Sequence, residues 1–342
     1  RLDEERQEYE NRIARLKELR AKPEGERTPQ EQRYLDSPHF FSSMGSHSFS
    51  FDDLGIDRHH SSFFPATPIN QPFASLFELA PDVARKLVRD MSNRATTAWR
   101  QLPTIEPNSF ATPIPLDIQF PWGEQRFWGE ARTYAWFQGA WAPQPLESAY
   151  LALAYWAHKR LDAGDDPDEL IRLVVEGHDN WAVLGLAGSI ALESLHVSAT
   201  TLPLVACQRL WHVDLSRSIS DPGRPFSLPG LGVPDSTTDT QKAAFDFLLN
   251  RRSRKRSIRD LTALFIVGPD KVLSEKLAAA LKEFPNDLPF GFEEERKSEN
   301  RQRELLQAAK IWATWGDRDN YEIAPAEEPG LVAVTFEAPE ES

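Results

Sequence analysis

The sequence predicts a mainly α protein: a HEAT/armadillo-like helical solenoid or an irregular helical array, with a short edge strand and a C-terminal β-hairpin. Three observations favour this fold class. Apolar residues recur at helical spacing through the middle of the chain, turn residues separate these segments about every 20 residues, and strand-like alternation is confined to two places. Because no internal sequence repeat is evident, a compact irregular bundle remains an alternative to the solenoid.

Composition limits the classes of function. The 342 residues include 39 basic and 52 acidic side chains, a net charge of -13, so a globally basic nucleic-acid or membrane-surface binder is excluded. The single cysteine, Cys207, excludes an internal disulfide framework and indicates a reducing compartment, for which we expect a cytoplasmic location. The sequence contains no apolar run of the ~18 residues that a membrane helix needs.

The first 73 residues divide into two segments. Residues 1–36 are highly charged and are predicted to form a charged helix, the end of a longer one, because the chain starts at Arg1 inside the helical pattern. Residues 37–73 are predicted to be a Ser/Phe/Pro-rich loop. The chain is therefore expected to be a piece of a longer protein.

A helical array is predicted over residues 74–316. Its first helix, at 74–99, has apolar residues every four positions. An irregular, aromatic-rich insert follows at 102–145 with seven prolines, and within it residues 114–120 alternate as a short strand that Pro115 confines to an edge.

The strongest helix signals come next. A helix with an apolar face runs from Leu146 to near Gly164, and Asp166 then has the spacing of an N-cap. Residues 180–195 are apolar nearly all round, which predicts a central buried helix. Further helices are predicted from Pro203 and at 241–250, 257–266, 270–284 and 296–315, with a Pro/Gly loop at 221–240 and a hairpin in the tail, 317–342.

Familiar catalytic motifs are missing from the sequence. It contains neither a phosphate-cradling glycine loop nor a Gly-x-Ser-x-Gly nucleophile elbow. Glu193 and His196 form one Glu-x-x-His pair, whereas a di-iron bundle needs two. His178 lies at a turn where Asp179 or Asn180 is expected to cap the next helix. We therefore assign no catalytic, cofactor or metal residue.

An aromatic segment allows two interpretations. Residues 120–141 hold eight aromatic side chains in 22 positions. Trp122, Trp128 and Trp136 could form a stacking platform for a sugar or a base, or the rings could build the core of a loop-rich subdomain. A carbohydrate-active enzyme would also need two carboxylates about 5–9.5 Å apart. The candidates close in sequence are Glu130, Glu147 and Asp179.

A basic run is the second candidate site. Five of the six residues from 251 to 256 are basic. They could contact phosphates, as in nucleic acid, or an acidic partner, or they could pair with the chain's own surplus carboxylates. The basic residues are Arg251, Arg252, Arg254, Lys255 and Arg256.

Several motifs, in this order, carry a family resemblance. They are Phe63-Phe64-Pro65-Ala66, Gln71-Pro72-Phe73, Asn93-Arg94-Ala95, Pro121-Trp122-Gly123, Arg126-Phe127-Trp128-Gly129-Glu130, Tyr134-Ala135-Trp136-Phe137, Glu176-Gly177-His178-Asp179-Asn180-Trp181 and Leu210-Trp211-His212-Val213-Asp214. Together they resemble the helical region that follows the nucleotide-binding module in large bacterial STAND-type (NACHT/AAA-like) ATPases, many of which act in anti-phage defence. The resemblance spans roughly residues 37–337.

The resemblance implies that different functions belong to different domains of the whole protein. ATP binding and oligomerisation would belong to an upstream module, an effector domain would lie at one end, and the helical repeats would sense a trigger. None of the family's nucleotide-binding motifs maps onto a residue here, so no cofactor is expected in this chain. We therefore expect a non-catalytic helical scaffold or sensor. Its expected partners are other domains of the same chain, a macromolecular ligand and further copies in a homo-oligomer, but no membrane.

Overall fold

The computed structural model describes residues 22–23, 63, 66–105, 113–220, 238–288, 299–325 and 332–339. Within these residues the protein is mainly helical, with twelve α-helices and two small antiparallel sheets. This confirms the predicted mainly α class and the C-terminal hairpin. The predicted charged helix, apart from residues 22–23, most of the loop at 37–73, and residues 221–237 lie outside the described residues.

The chain divides into two compact units. The first comprises residues 1–57 and 97–111, of which the structure describes 22–23 and the helical residues 97–105. The second comprises residues 58–96 and 112–342. All the sites described below belong to the second unit.

A proline divides the first predicted helix. Instead of one helix over 74–99, the structure has α1 (Phe73–Leu79) and α2 (Pro81–Ile105). Proline has no N–H to donate and disfavours helical geometry in the residue before it. Pro81 therefore ends α1 at Ala80 and suits the first turn of a new helix.

The predicted edge strand pairs with a second strand that the sequence pattern did not indicate. Strands β1 (Ile114–Phe120) and β2 (Gly123–Gly129) form an antiparallel hairpin, with Ile114 opposite Gly129. In β2 three consecutive polar residues, 124–126, hide the alternation, and only Phe127 and Gly129 are buried. Helix α3 (Ala131–Tyr134) and a 3-10 turn (Ala135–Gln138) follow directly.

The core is built around one central helix. Helices α4 (Gln144–Asp162) and α5 (Pro167–Val175) pack on each other and on α6 (Trp181–Ser194), most of whose side chains are buried on all sides. The predicted N-cap is confirmed, since the Asp166 carboxylate accepts a hydrogen bond from the Asp168 N–H at 3.1 Å. Because almost every side of α6 is buried, apolar residues occupy nearly all of its positions.

Shorter elements complete the second unit. The helix predicted from Pro203 is two helices, and the helices over 258–267, 271–283 and 299–314 pack on one another in chain order. The remaining elements are α7 (Leu202–Val205), α8 (Gln208–Ser220), α9 (Asp239–Leu249), a 3-10 turn (Arg252–Lys255), α10 (Ile258–Val267), α11 (Lys271–Glu283), α12 (Glu299–Thr314), a 3-10 turn (Arg318–Asn320), β3 (Tyr321–Pro325) and β4 (Val332–Phe336). None of the described helices combines the length and apolar character that crossing a membrane requires.

Candidate functional site

The basic run lies between α9 and α10, where its members take different environments. Arg251 and Arg254 are buried, and Arg256 is half-buried. Arg252 and Lys255 are exposed on the 3-10 turn. The structure therefore does not bring the five cations together on one open surface.

Arg251 forms a two-pronged ion pair with the end of α4. Its two terminal nitrogens donate to the Asp162 carboxylate oxygens at 2.7 and 2.6 Å, and its guanidinium lies 3.9 Å from the centre of the Phe247 ring. Hydrogen bonding to the guanidinium holds the pKa of Asp162 below its ordinary value. This contact fastens the turn after α9 to α4.

The same segment holds the C-terminal end of α6. Arg256 donates to the carbonyl oxygens of Leu192 and Glu193 at 2.7 and 3.2 Å. The Ser253 N–H donates to the Glu193 carboxylate at 2.8 Å. The last carbonyls of a helix lack partners in the helix and carry partial negative charge, so a cation there satisfies both needs.

Asp214 gathers donors from three elements. It accepts hydrogen bonds from Arg217 at 2.7 Å, from the Tyr134 hydroxyl at 3.1 Å and from the Ile258 N–H at 2.7 Å. Arg217 in turn donates to the Arg256 carbonyl oxygen at 2.6 Å. We call this connected set of charged residues the polar hub. Its members are Asp162, Glu193, Asp214, Arg217, Arg251 and Arg256.

A buried histidine lies beside the polar hub. His158 Nε2 is 3.1 Å from the Ser189 hydroxyl, which is 3.1 Å from the Ser253 hydroxyl. Burial, reinforced by the charge of Arg251, lowers the pKa of His158 to about 3, so its ring is neutral. These side chains border a cavity of about 20 Å³, which has room for about one water molecule. The histidine and hydroxyl groups therefore belong to a packed core.

The three candidate tryptophans do not share a face. Trp122 stacks on Phe120 at the turn of the β1–β2 hairpin, with ring centres 4.6 Å apart. Trp128 is half-buried near the other end of that hairpin, about 20 Å along the strand at ~3.4 Å per residue. Trp136 is buried in the core.

The backbones of two of the three candidate acidic residues lie close to that of Trp128. The Trp128 N–H donates to the Asp179 carbonyl oxygen at 2.8 Å, and Glu130 follows Trp128 by two residues. Burial raises the pKa of Glu130 to about 7. Glu147 is placed at the start of α4, where its carboxylate accepts from the Ala142 N–H at 3.1 Å.

The turn between α5 and α6, which we call the 176–180 turn, is held by side chains from distant elements. Asn93 on α2 donates to the Gly177 carbonyl oxygen at 2.9 Å and accepts from the Asp179 N–H at 3.1 Å. Of the two expected cap residues, Asp179 and Asn180, it is Asn180 that caps α6, by accepting from the Ala182 N–H at 3.0 Å. Gly177 has a φ of 81°, a left-handed conformation that favours glycine.

A buried network ties this turn to α2, α4 and β2. The Tyr150 hydroxyl donates to the Asn180 side-chain oxygen at 2.7 Å, and both residues also bond Ser92. From β2, Gln125 donates to the His178 carbonyl oxygen at 2.7 Å. Burial raises the pKa of Tyr150, which keeps its hydroxyl protonated. The 176–180 turn is therefore fixed before any ligand binds.

An open polar cavity lies between this turn and α2. We call it the α2–α5 cavity; its volume is about 350 Å³. Three basic and two acidic side chains line it together with a histidine, although the chain as a whole is strongly acidic. These residues are Asp82, Arg85, Lys86, Arg89, Glu176 and His178.

The sequence pattern did not indicate the basic side of this cavity. Arg85 and Arg89 are four residues apart and Lys86 is adjacent, so the three lie on neighbouring faces of α2. That spacing was available as a signal, but the residues opposite come from a turn some 90 positions away. His178 is buried, and burial together with the charge of Arg89 lowers its pKa to about 3.

One group of side chains has the spacing of metal ligands. Atoms of Asp166, Asp168 and His196 lie within 4.8 Å of one another. Asp168 already accepts hydrogen bonds from the Ser198 hydroxyl at 2.6 Å and pairs with His196 at 2.9 Å. The positive end of α5 also opposes a cation here. His196 and Glu193, the pair noted in the sequence, therefore engage different partners.

No family model matches the chain, and no curated protein matches it. The resemblance to STAND-type ATPases therefore stays a prediction.

Proposed function

We propose that this chain is a non-catalytic helical scaffold and sensor region within a large multidomain bacterial ATPase that acts in anti-phage defence. In this proposal the helices form a HEAT/armadillo-like array that connects other domains of the same chain and responds to a macromolecular ligand. ATP would bind to a separate module upstream, and assembly into a homo-oligomer would belong to the whole protein. A cytoplasmic location fits the single cysteine.

The polar hub is the observation that carries this proposal. Its ion pairs and carbonyl contacts connect the end of α4, the end of α6, the last turns of α8 and the segment before α10. Arg217, Asp214 and Arg251 are the buried members of the hub, and a buried charge fixes the arrangement because displacing its partner leaves it unsatisfied. A helical region tied together in this way moves as one body, which a scaffold that relays a signal requires.

A first experiment reads the open reading frame on both sides of this chain. We expect a nucleotide-binding module with Walker-type motifs upstream. A start and a stop codon tight against the ends would contradict the proposal.

The second experiment measures ATP hydrolysis by the whole protein with the hub loosened. Asp162→Asn removes the charge that pairs with buried Arg251, and Asp165→Asn is the matched control because Asp165 pairs with the exposed Arg160. We expect Asp162→Asn alone to change the hydrolysis rate about severalfold, through altered coupling between domains. Equal hydrolysis rates for both variants would contradict the proposed scaffold role of the hub.

A carbohydrate-active enzyme is the second candidate function. The favouring observation is Glu130, whose pKa is raised to about 7 two residues past Trp128, since a protonated carboxyl near neutral pH suits a general acid. Glu130→Gln would abolish hydrolysis of a glycoside by the purified chain. If the wild-type chain hydrolyses none of a panel of glycosides, this candidate falls.

Nucleic-acid contact through the basic run is a weaker alternative. Of the five basic residues, Arg252 and Lys255 are the exposed ones that could reach a phosphate backbone, because Arg251 and Arg254 are buried and Arg256 donates to the end of α6. Binding that depends on these two residues should weaken steeply with added salt. An oligonucleotide titration of Arg252→Glu/Lys255→Glu tests it.

A further inference from the structure

The α2–α5 cavity is lined by three cations in an acidic protein. Arg85, Lys86 and Arg89 face it from α2, and the acidic residues in its lining are Asp82 and Glu176. The lining therefore has one more basic than acidic side chain, whereas the chain as a whole has a net charge of -13. Basic side chains in a concave site attract anionic ligands.

The cations of this cavity are held by weak pairs. Lys86 and Arg89 share the single carboxylate of Asp90, at 2.6 and 3.7 Å, and the Lys86–Asp90 pair is exposed to solvent. Glu176 is engaged by Arg172 at 3.1 Å. Exposed ion pairs contribute little to stability, so a bound anion can replace them at small cost. This differs from the polar hub, where the corresponding donors are buried and satisfied.

Two arginines line the cavity. A terminal nitrogen of Arg85 donates to the exposed Asp82 carboxylate at 2.5 Å, and its buried Nε has no hydrogen-bond partner among the described residues. Arg89 approaches the 176–180 turn so closely that a Cβ on Gly177 would lie 3.0 Å from the Arg89 side chain. Guanidinium groups match the oxygens of a phosphate with paired hydrogen bonds. The neutral ring of His178 forms part of the polar lining and adds no charge to it.

We propose that the α2–α5 cavity binds a small phosphate-bearing molecule, with its phosphate between Arg85 and Arg89. The volume of about 350 Å³ is at the lower end of small-molecule sites, enough for a phosphate and a compact organic group. The fixed 176–180 turn lowers the cost of binding because one wall is already ordered. This inference rests on the cavity and not on the proposed scaffold function.

The test is a calorimetric titration of the purified chain with inorganic pyrophosphate at low ionic strength. We expect saturable binding of one pyrophosphate per chain. Arg85→Gln/Arg89→Gln should weaken it about tenfold or more, because both guanidinium groups are lost. The matched control, Arg252→Gln/Lys255→Gln, removes the same charge from an exposed surface elsewhere and should bind as the wild type does. Circular dichroism verifies that each variant is folded.

A charge-neutral variant separates a built site from general attraction. Gly177→Ala keeps every charge but strains the left-handed backbone of the 176–180 turn and crowds Arg89, so we expect weaker pyrophosphate binding at an unchanged net charge. Equal loss in the Arg252/Lys255 control would overturn the proposal, as would the absence of saturable binding at millimolar pyrophosphate. A single-stranded oligonucleotide that binds far more tightly than pyrophosphate would overturn it in favour of nucleic acid.

Discussion

The polar hub and the α2–α5 cavity are built from the same residue types, yet their charges are satisfied in different ways. In the hub, the side chains of Arg217 and Asp214 are 6% and 3% exposed, and they share further partners from the backbone. At the cavity, the side chains of Lys86 and Asp90 are 67% and 52% exposed. The Arg217–Asp214 pair belongs to a closed hydrogen-bond network, whereas the Lys86–Asp90 pair is exposed to solvent and can exchange its partners.

The comparison shows how burial decides the role of an arginine. A buried cation is stable only when the fold supplies its partners, so the hub's donors are consumed internally. A cation at an open cavity is stabilised by water, and it can keep donors for a ligand. The basic run is the conspicuous cationic feature of the sequence, but most of its donors contact the protein itself. The cations of the α2–α5 cavity are more exposed and are therefore the better candidates for binding a ligand.

The largest effect is expected from breaking the hub at its centre. Asp214→Ala leaves Arg217 buried without its carboxylate and deprives Tyr134 and the Ile258 N–H of an acceptor. We expect a loss of about 3–5 kcal/mol in the free energy of unfolding, measured by urea denaturation. The control is Asp246→Ala, on the exposed side of α9. Similar losses for both variants would mean that the buried carboxylate of the hub contributes no more to stability than an exposed carboxylate does.

A smaller effect is expected at the 176–180 turn. Asn180→Ala removes the cap of α6 and the acceptor of the Tyr150 hydroxyl, leaving buried donors unsatisfied. We expect a loss of about 1–3 kcal/mol by the same denaturation measurement. Asn300→Ala, which removes an exposed asparagine on α12, is the control. A neutral result for Asn180→Ala would show that the turn is not fixed in advance.

The pH dependence of stability tests whether the two buried histidines behave alike. His158 beside the hub and His178 at the cavity have pKa values lowered from 6.5 to about 3, so the unfolded chain binds protons that the folded chain does not. Stability should therefore fall as the pH drops from 6.5 towards 3, by up to about tenfold in the unfolding constant per pH unit and histidine.

The comparison between variants isolates these histidines. Glu130 acts in the opposite direction, because its pKa is raised from 4.5 to about 7 and lowering the pH through that window stabilises the fold. We expect His158→Gln and His178→Gln each to flatten the measured slope below pH 6.5. A slope unchanged by His178→Gln would mean that water in the cavity already hydrates that ring.

The smallest effect is expected at the rim of the cavity. Asp90→Ala removes an exposed carboxylate that Lys86 and Arg89 share, so the unfolding midpoint should stay unchanged within the error of the measurement. The same variant should bind pyrophosphate more tightly, because it removes a competing anion. A marked loss of stability would show that the rim pairs are structural and would erase the contrast with the hub.

Local structure followed from the sequence where neighbouring residues decide it. Asp166 caps its helix as predicted, and Asn180, one of the two expected candidates, caps α6. Helix α6 is the buried central helix, and the tail forms a hairpin. Helix caps and burial patterns depend on residues within one or two turns, so a single sequence contains the information.

Partnerships between distant residues were decided only by the tertiary structure. The sequence placed five cations together at 251–256, but the fold turns Arg251 towards Asp162 and Arg256 towards the end of α6. It also brings Arg89 against Gly177, which no local pattern indicates. The physical reason is that burial and pairing of a charge depend on which chain segments surround it, and those segments are 60 to 90 residues away in the sequence.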